Sequence, residues 1–117
     1  MDKLVNLFKV LSDETRIRIL NLLYHRKLCV CQMQGILEES QPKISKHLSK
    51  LKDKGFVKDE RQEQFIFYYL DNENQMLKGI LDNIISSIDD YSVLKKDIER
   101  LPIAEECINE KIKSQNI

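Results

Sequence analysis

An abrupt change of periodicity at Gly55 constrains this chain more than any other feature. Before it, Ile44, Leu48 and Leu51 recur at helical spacing; after it, Phe56-Val57-Lys58 and Phe65-Ile66-Phe67-Tyr68-Tyr69-Leu70 are β-branched and aromatic runs. Ser40 suits a helix cap, Pro42 is tolerated in a first helical turn, and Gly55 suits a C-terminal stop. A shorter helix over residues 31–38, carrying Met33, Ile36 and Leu37, precedes the break at Glu39-Ser40-Gln41-Pro42. Two short helices joined by a tight turn, the second one basic, form a helix-turn-helix pattern. A hairpin placed directly after the second helix is a wing, its strands separated by the polar residues 59–64 with no Gly or Asn at the turn. The expectation is a mainly α fold with a small β-hairpin, a winged helix-turn-helix.

The rest of the chain supplies helices to bury that unit. Leu4, Leu7, Phe8 and Leu11 give a short first helix, after which Ser12 is the expected cap of a second, with Asp13 and Glu14 in its first turn. That second helix, to about Tyr24, is apolar on more than one side through Ile17, Ile19, Leu20, Leu22 and Leu23, which marks it as central. Residues 74–91 read as one long amphipathic helix with Leu77, Ile80, Leu81, Ile84, Ile88 and Tyr91 on one face, Ile85 at its edge, and Lys78, Asp82, Ser86 and Asp89 opposite. Such a face requires cover, either from the first helix or from a second copy of the chain. The expected dimer interface is Leu4, Leu7, Phe8, Leu77, Ile80, Leu81, Ile84 and Ile88. Pro102 opens a further helical stretch from Ile103 to about Lys113, so residues 1–92 are expected to form the DNA-binding and dimerisation domain and residues 93–117 a helical extension.

Charge refines the functional reading. The 117 residues carry a formal net charge of zero, which taken alone argues against a nucleic-acid partner. The distribution reverses that argument: residues 40–62 hold seven Lys/Arg against three Asp/Glu, and residues 71–117 hold six against ten. A basic middle and an acidic end cancel in the sum but not in space. No secretory leader pattern opens the chain, no apolar run has the length of a membrane span, and the three cysteines lack disulfide-scaffold spacing. A reducing, cytoplasmic setting is expected. No phosphate loop, paired-carboxylate site or Ser/His/Asp or Cys/His arrangement points to an enzyme.

With Ile44, Leu48 and Leu51 turned inward, Pro42, Ser45, Lys46, Ser49 and Lys50 face outward, at about 100° per residue, while Gln41 and Lys43 stand at the helix start. That end of such a helix enters the major groove of operator DNA. Gln and Lys bond base edges, Ser bonds bases or phosphates, and Lys neutralises phosphate. Arg61, Gln62 and Gln64 at the wing are placed to reach flanking backbone or the minor groove. His47 borders the apolar stripe and reads as a packed or capping side chain.

Cys29 and Cys31 are separated by Val30 alone. In a helix their thiols point about 200° apart, and in an extended segment they share a side. One ion can therefore bind both only where the start of the following helix is, or becomes, non-helical. Straining that helix displaces the DNA-reading helix behind it. Thiolates select thiophilic ions, and neighbouring Arg26 and Lys27 favour thiolate over thiol. The two sulfurs also suit a redox sensor, or serve as small apolar side chains.

Two stretches together resemble the arsenical-resistance repressor family (ArsR/SmtB type). One runs Leu11-Ser12-Asp13-Glu14-Thr15-Arg16-Ile17-Arg18-Ile19-Leu20 and on into Leu28-Cys29-Val30-Cys31; the other is Ser40-Gln41-Pro42-Lys43-Ile44-Ser45-Lys46-His47-Leu48 with the hairpin ending Tyr68-Tyr69-Leu70. The resemblance covers roughly residues 4–70 and implies a dimeric winged-helix repressor that releases its operator on binding a metal or metalloid. It further implies arsenite or antimonite as inducer, with Cys29 and Cys31 as ligands. Gln34 stands where the arsenic-sensing pattern has a third Cys, and Gln32 where an acidic residue commonly follows the second; Cys107 is a candidate third ligand, from the same or the partner subunit. Cadmium, lead or zinc response, thiol redox sensing, and a winged-helix module that binds protein are the competing readings.

Overall fold

A computed structural model describes residues 1–106. Its order is α1 (Asp2–Leu11), α2 (Glu14–His25), β1 (Leu28–Cys29), α3 (Val30–Leu37), α4 (Gln41–Asp53), β2 (Val57–Gln62), β3 (Phe65–Leu70), α5 (Gln75–Ser86), a single 3₁₀ turn (Ile88–Asp90) and α6 (Ser92–Glu99). The expected winged helix-turn-helix is present as α3, α4 and the β2–β3 hairpin.

Central α2 contributes Ile19, Leu20 and Leu22 to the core with no exposed surface, as its all-round apolar pattern requires. Around it close Met33, Ile36 and Leu37 of α3, Ile44, Leu48 and Leu51 of α4, and Leu77 and Leu81 of α5. Burial of a Leu or Ile side chain is worth roughly 1.5–3 kcal/mol, so this one cluster holds the helices to one another.

Four local expectations are corrected. Asp13, not Ser12, caps α2: its carboxylate accepts from the Arg16 N–H at 3.0 Å, while the Ser12 hydroxyl turns back to the Lys9 carbonyl at 2.6 Å. The hairpin acquires a third strand, because β1 pairs antiparallel with β3, Leu28 opposite Tyr68 and Cys29 opposite Phe67. The polar residues 59–62 lie in β2 rather than in a loop, since pairing of Gln62 with Phe65 closes the hairpin over Glu63 and Gln64 alone. Glu63 takes the left-handed φ of 59° that a turn this tight demands.

The fourth correction is the largest. The single helix expected over residues 74–91 stops at Ser86, and the chain turns through Ile88–Asp90 before α6. Ser86 donates its hydroxyl to the Asp82 carbonyl at 2.9 Å, and Ser87, Asp89 and Asp90 are poor helix formers whose side chains compete for backbone groups. Tyr91, expected on the buried stripe, is 46% exposed. The break lets α6 fold back onto α2, burying Leu94 and Asp97. Asp97 is 2% exposed and grips Arg18 through two hydrogen bonds, at 2.8 and 2.9 Å.

Candidate DNA-reading surface and thiol segment

The turn between α3 and α4 comprises only Glu38, Glu39 and Ser40. Glu38 ends α3 in the left-handed conformation (φ 56°, ψ 43°), which reverses the chain sharply. The Ser40 hydroxyl then caps α4 by accepting from the Lys43 N–H at 3.4 Å, as its position in the sequence predicts. Because Ile44, Leu48 and Leu51 are wholly buried, the opposite face of α4 stands in solvent.

That face carries Gln41, Lys43, Lys46, Ser49 and Lys50, all exposed, with Ser45 half-buried beside them. Gln41 donates from Nε2 to Ser45 Oγ at 2.7 Å, and Lys43 pairs with Glu39 at 3.2 Å. Lys46 and Lys50 make no ion pair among the described residues. At the wing, Arg61, Gln62 and Gln64 are exposed; Arg61 donates to the Glu63 carbonyl at 3.2 Å, and Gln62 to Glu60 at 3.1 Å. Arg61 and Gln62 share strand β2 while Gln64 sits in the turn, so the three crowd one end of the hairpin.

His47 lies at the edge of the stripe, 13% exposed at its side chain and 4.0 Å from Asp13. Burial lowers its tendency to take a proton; Asp13 opposes that shift, and Arg16, Lys43 and Lys46 reinforce it. Asp13 itself is pushed up by partial burial, but the Arg16 N–H and the charges of His47 and Arg16 outweigh this and hold it below 3.8. The N-terminus of α2 and helix α4 therefore meet through an acid–imidazole contact.

The cysteine segment opens the helix-turn-helix, with Cys29 a free thiol and Cys31 disulfide-bonded. Cys29 is extended (φ −92°, ψ 169°), immediately precedes α3, and is 4% exposed. Val30 and Cys31 already belong to the first turn of α3, with Cys31 half-buried. The pair thus straddles a strand-to-helix junction rather than lying on one extended run. No group of three or more His, Cys, Asp or Glu that could hold a metal ion occurs among the described residues. Cys107 lies outside them.

Of the expected interface residues, Leu7, Leu77 and Leu81 are buried within the chain itself. Leu4 and Phe8 are 37% and 57% exposed, and Ile80, Ile84 and Ile88 are half-buried. Sequence reasoning missed a second group, Arg18, Gln32, Asp97 and Arg100, which binds α3 to the C-terminal segment. Apart from the bond from the Cys29 N–H to Gln32, three residues on, no local pattern announces these residues, because their other partners lie more than sixty positions away or are backbone carbonyls.

A basic helix set on a buried helix-turn-helix, flanked by a hairpin wing, places the molecule among the winged helix-turn-helix regulators. The model of the bacterial regulatory proteins of the arsR family matches residues 13–59. The arsenic resistance transcriptional regulator ArsR2 of Pseudomonas putida is 36% identical over 84% of this chain and 90% of its own length. The chain belongs to the arsR family. ArsR1 of the same organism is 43% identical over 64% of this chain, and the match spans 63% of that relative's length. Among solved structures, HlyU from Vibrio cholerae N16961 superposes with a TM-score of 0.66 at 31% identity, covering 71% of this chain and 88% of that one.

Proposed function

We propose that this protein is a homodimeric transcriptional repressor that releases its operator DNA when trivalent arsenic or antimony binds the thiolates of Cys29 and Cys31. The observation that carries the reading is the position of those residues: Cys29 immediately precedes α3 and Cys31 lies in its first turn, and α3 hands on to α4 through three residues. Relatives named for arsenic resistance support the choice of ligand. Cys107 is the candidate third donor.

The donor type fits a thiophilic ion, since thiolates are soft. Cys31 is disulfide-bonded in the structure, so a single ion reaches both sulfurs only once that bond is reduced and either the Cys29 sulfur leaves its buried position or the first turn of α3 opens. Ligand binding is then paid for by distortion of the scaffold behind α4. In the ligand-free dimer, the start of α4 enters the major groove, Lys46 and Lys50 meet phosphates, and the wing residues reach the flanking backbone. In the liganded dimer the two reading helices lose the spacing that a palindromic site requires.

Fluorescence anisotropy with a duplex from the gene's own upstream region, under reducing conditions, tests the reading. Sodium arsenite is expected to weaken binding by a coupling of about 1–3 kcal/mol. Cys29→Ser or Cys31→Ser is expected to abolish that response while leaving ligand-free binding in place. Release by arsenite that survives in both variants removes the thiol pair from the mechanism. Parallel titrations with cadmium and zinc decide the ion, and release only by oxidant transfers the assignment to redox sensing.

A further inference from the structure

α3 is held at both ends by one short stretch of chain. At its start, the side chain of Gln32 is wholly buried. Its Oε1 accepts from the Cys29 N–H at 2.9 Å, and its Nε2 donates to the Ala104 carbonyl at 3.2 Å. At its far end, Arg100 donates from Nε to the Ile36 carbonyl and from Nη2 to the Gly35 carbonyl, both at 2.9 Å, and pairs with Glu38 at 2.9 Å. These carbonyls belong to the last turn of α3, where no intrahelical donor exists for them. Arg18 adds a bond to the Leu37 carbonyl at 3.3 Å and is itself fixed by Asp97. Between the two clamps, Ile103 packs where Gly35 has no side chain: a Cβ there would stand 3.4 Å from Ile103 Cγ2. Ala104 is fully buried. Only three residues separate the anchor at Arg100 from the anchor at Ala104, so the two clamps are short links of one strap.

We infer that Gln32 and Arg100 are positioning residues that transmit the state of the Cys29 backbone to the turn before the DNA-reading helix. The inference deepens the proposed function and rests on it for the identity of the ligand. Once the disulfide at Cys31 is reduced, any ligand that draws the Cys29 and Cys31 sulfurs together moves the Cys29 amide, and the bond from that amide to Gln32 is the first to break. A buried amide side chain that loses one partner must turn to recover another, since an unsatisfied buried polar group is costly. Its other partner is the Ala104 carbonyl, so the strap moves with it. Arg100 sits on the same strap and releases Gly35 and Ile36, which frees Glu38 and the turn into α4. The thiol segment thus acts on α4 by a path outside α3, running along the strap, as well as through the helix.

Hydrogen–deuterium exchange on the full chain, without ligand, tests the strap directly. Gln32→Met keeps length and removes both bonds; it is expected to speed exchange at residues 35–40 by at least tenfold, beyond the local effect at Cys29. Arg100→Ala, made at the other clamp, is expected to speed exchange at the Cys29 amide to a similar degree. Circular dichroism reports whether each variant folds, and Arg100→Lys, which keeps charge without a two-pronged donor, replaces Arg100→Ala should that one unfold. Perturbation confined to the mutated end in either variant overturns the inference. DNA anisotropy with sodium arsenite as the probe supplies the second readout. The ratio of affinities without and with arsenite is expected to fall at least fivefold in Gln32→Met, with arsenite stoichiometry unchanged. An unchanged ratio also overturns the inference. Should the wild type fail to respond to arsenite while the two ends still exchange together, the strap stands and the arsenite reading falls.

Discussion

At the residue scale, what a side chain contributes depends on whether its partners are internal or still to come. Lys52 is engaged by Asp59 at 2.8 Å and Lys27 by Glu60 at 2.7 Å, with Lys27 also 5.5 Å above the Phe67 ring. Lys46 makes no such pair among the described residues and stands on the outward face of α4. Lys46→Ala is therefore expected to lower the slope of log affinity against log salt by about one unit, the loss of one phosphate contact. A salt titration of operator binding measures it, and an unchanged slope removes Lys46 from the contact set. Lys52→Ala is expected to change that slope less, because its charge is already partly spent on Asp59.

At the element scale, the helix-turn-helix is held by devices of different strengths. The apolar stripes of α3 and α4 supply most of the burial, whereas the caps and the His47–Asp13 contact set where the ends fall. Both groups of that contact have folded-state proton affinities lower than their ordinary values, 6.5 for His47 and 3.8 for Asp13. For each, the stability it contributes is present above the ordinary value and lost as pH falls through the lower folded one. Urea denaturation is thus expected to show stability declining from just above pH 6.5 downward, with a further loss below about pH 4. His47→Gln is expected to flatten part of the upper decline and Asp13→Asn part of the lower, since burial also lowers the proton affinity of His25 and Lys95 that of Asp89. A wild-type profile that rises on acidification through pH 6.5 contradicts the assignment.

At the scale of the whole molecule, some apolar surface has no cover among the described residues. Phe8, Leu4 and Val5 of α1 are exposed at 57%, 37% and 44%. Ile80 and Ile84 of α5 pack only partly against the core. The chain's own core already takes Leu7, Leu77 and Leu81, so a two-fold partner is left with the remaining positions of the expected interface. Phe8→Glu is expected to shift sedimentation equilibrium toward monomer and to weaken binding to a palindromic duplex more than to a half-site. A variant that remains dimeric places the interface away from α1.

The helix-turn-helix was legible in the chain because its signals are local. The stripe at Ile44, Leu48 and Leu51, the cap at Ser40, the stop at Gly55 and the aromatic run at residues 65–70 each act within a turn or a strand. The outward set of α4 follows from that stripe by geometry alone. The third strand was not legible, since Leu28 and Cys29 become a strand only through Tyr68 and Phe67, nearly forty residues on. Nor was the break after Ser86: an unbroken apolar period continues to Tyr91 and masks the weak helix formers Ser87, Asp89 and Asp90, while the burial of Leu94 and the Asp97–Arg18 pair against α2 exists only in the folded chain. The strap belongs to the same class, because Gln32 and Arg100 take their roles from backbone groups, which carry no residue identity. Sequence alone determined the elements whose stability is decided by neighbours three or four residues away. Tertiary structure decided which of those elements continue, which pair, and which polar side chains are buried, because those choices turn on contacts that exist only once the chain has closed upon itself.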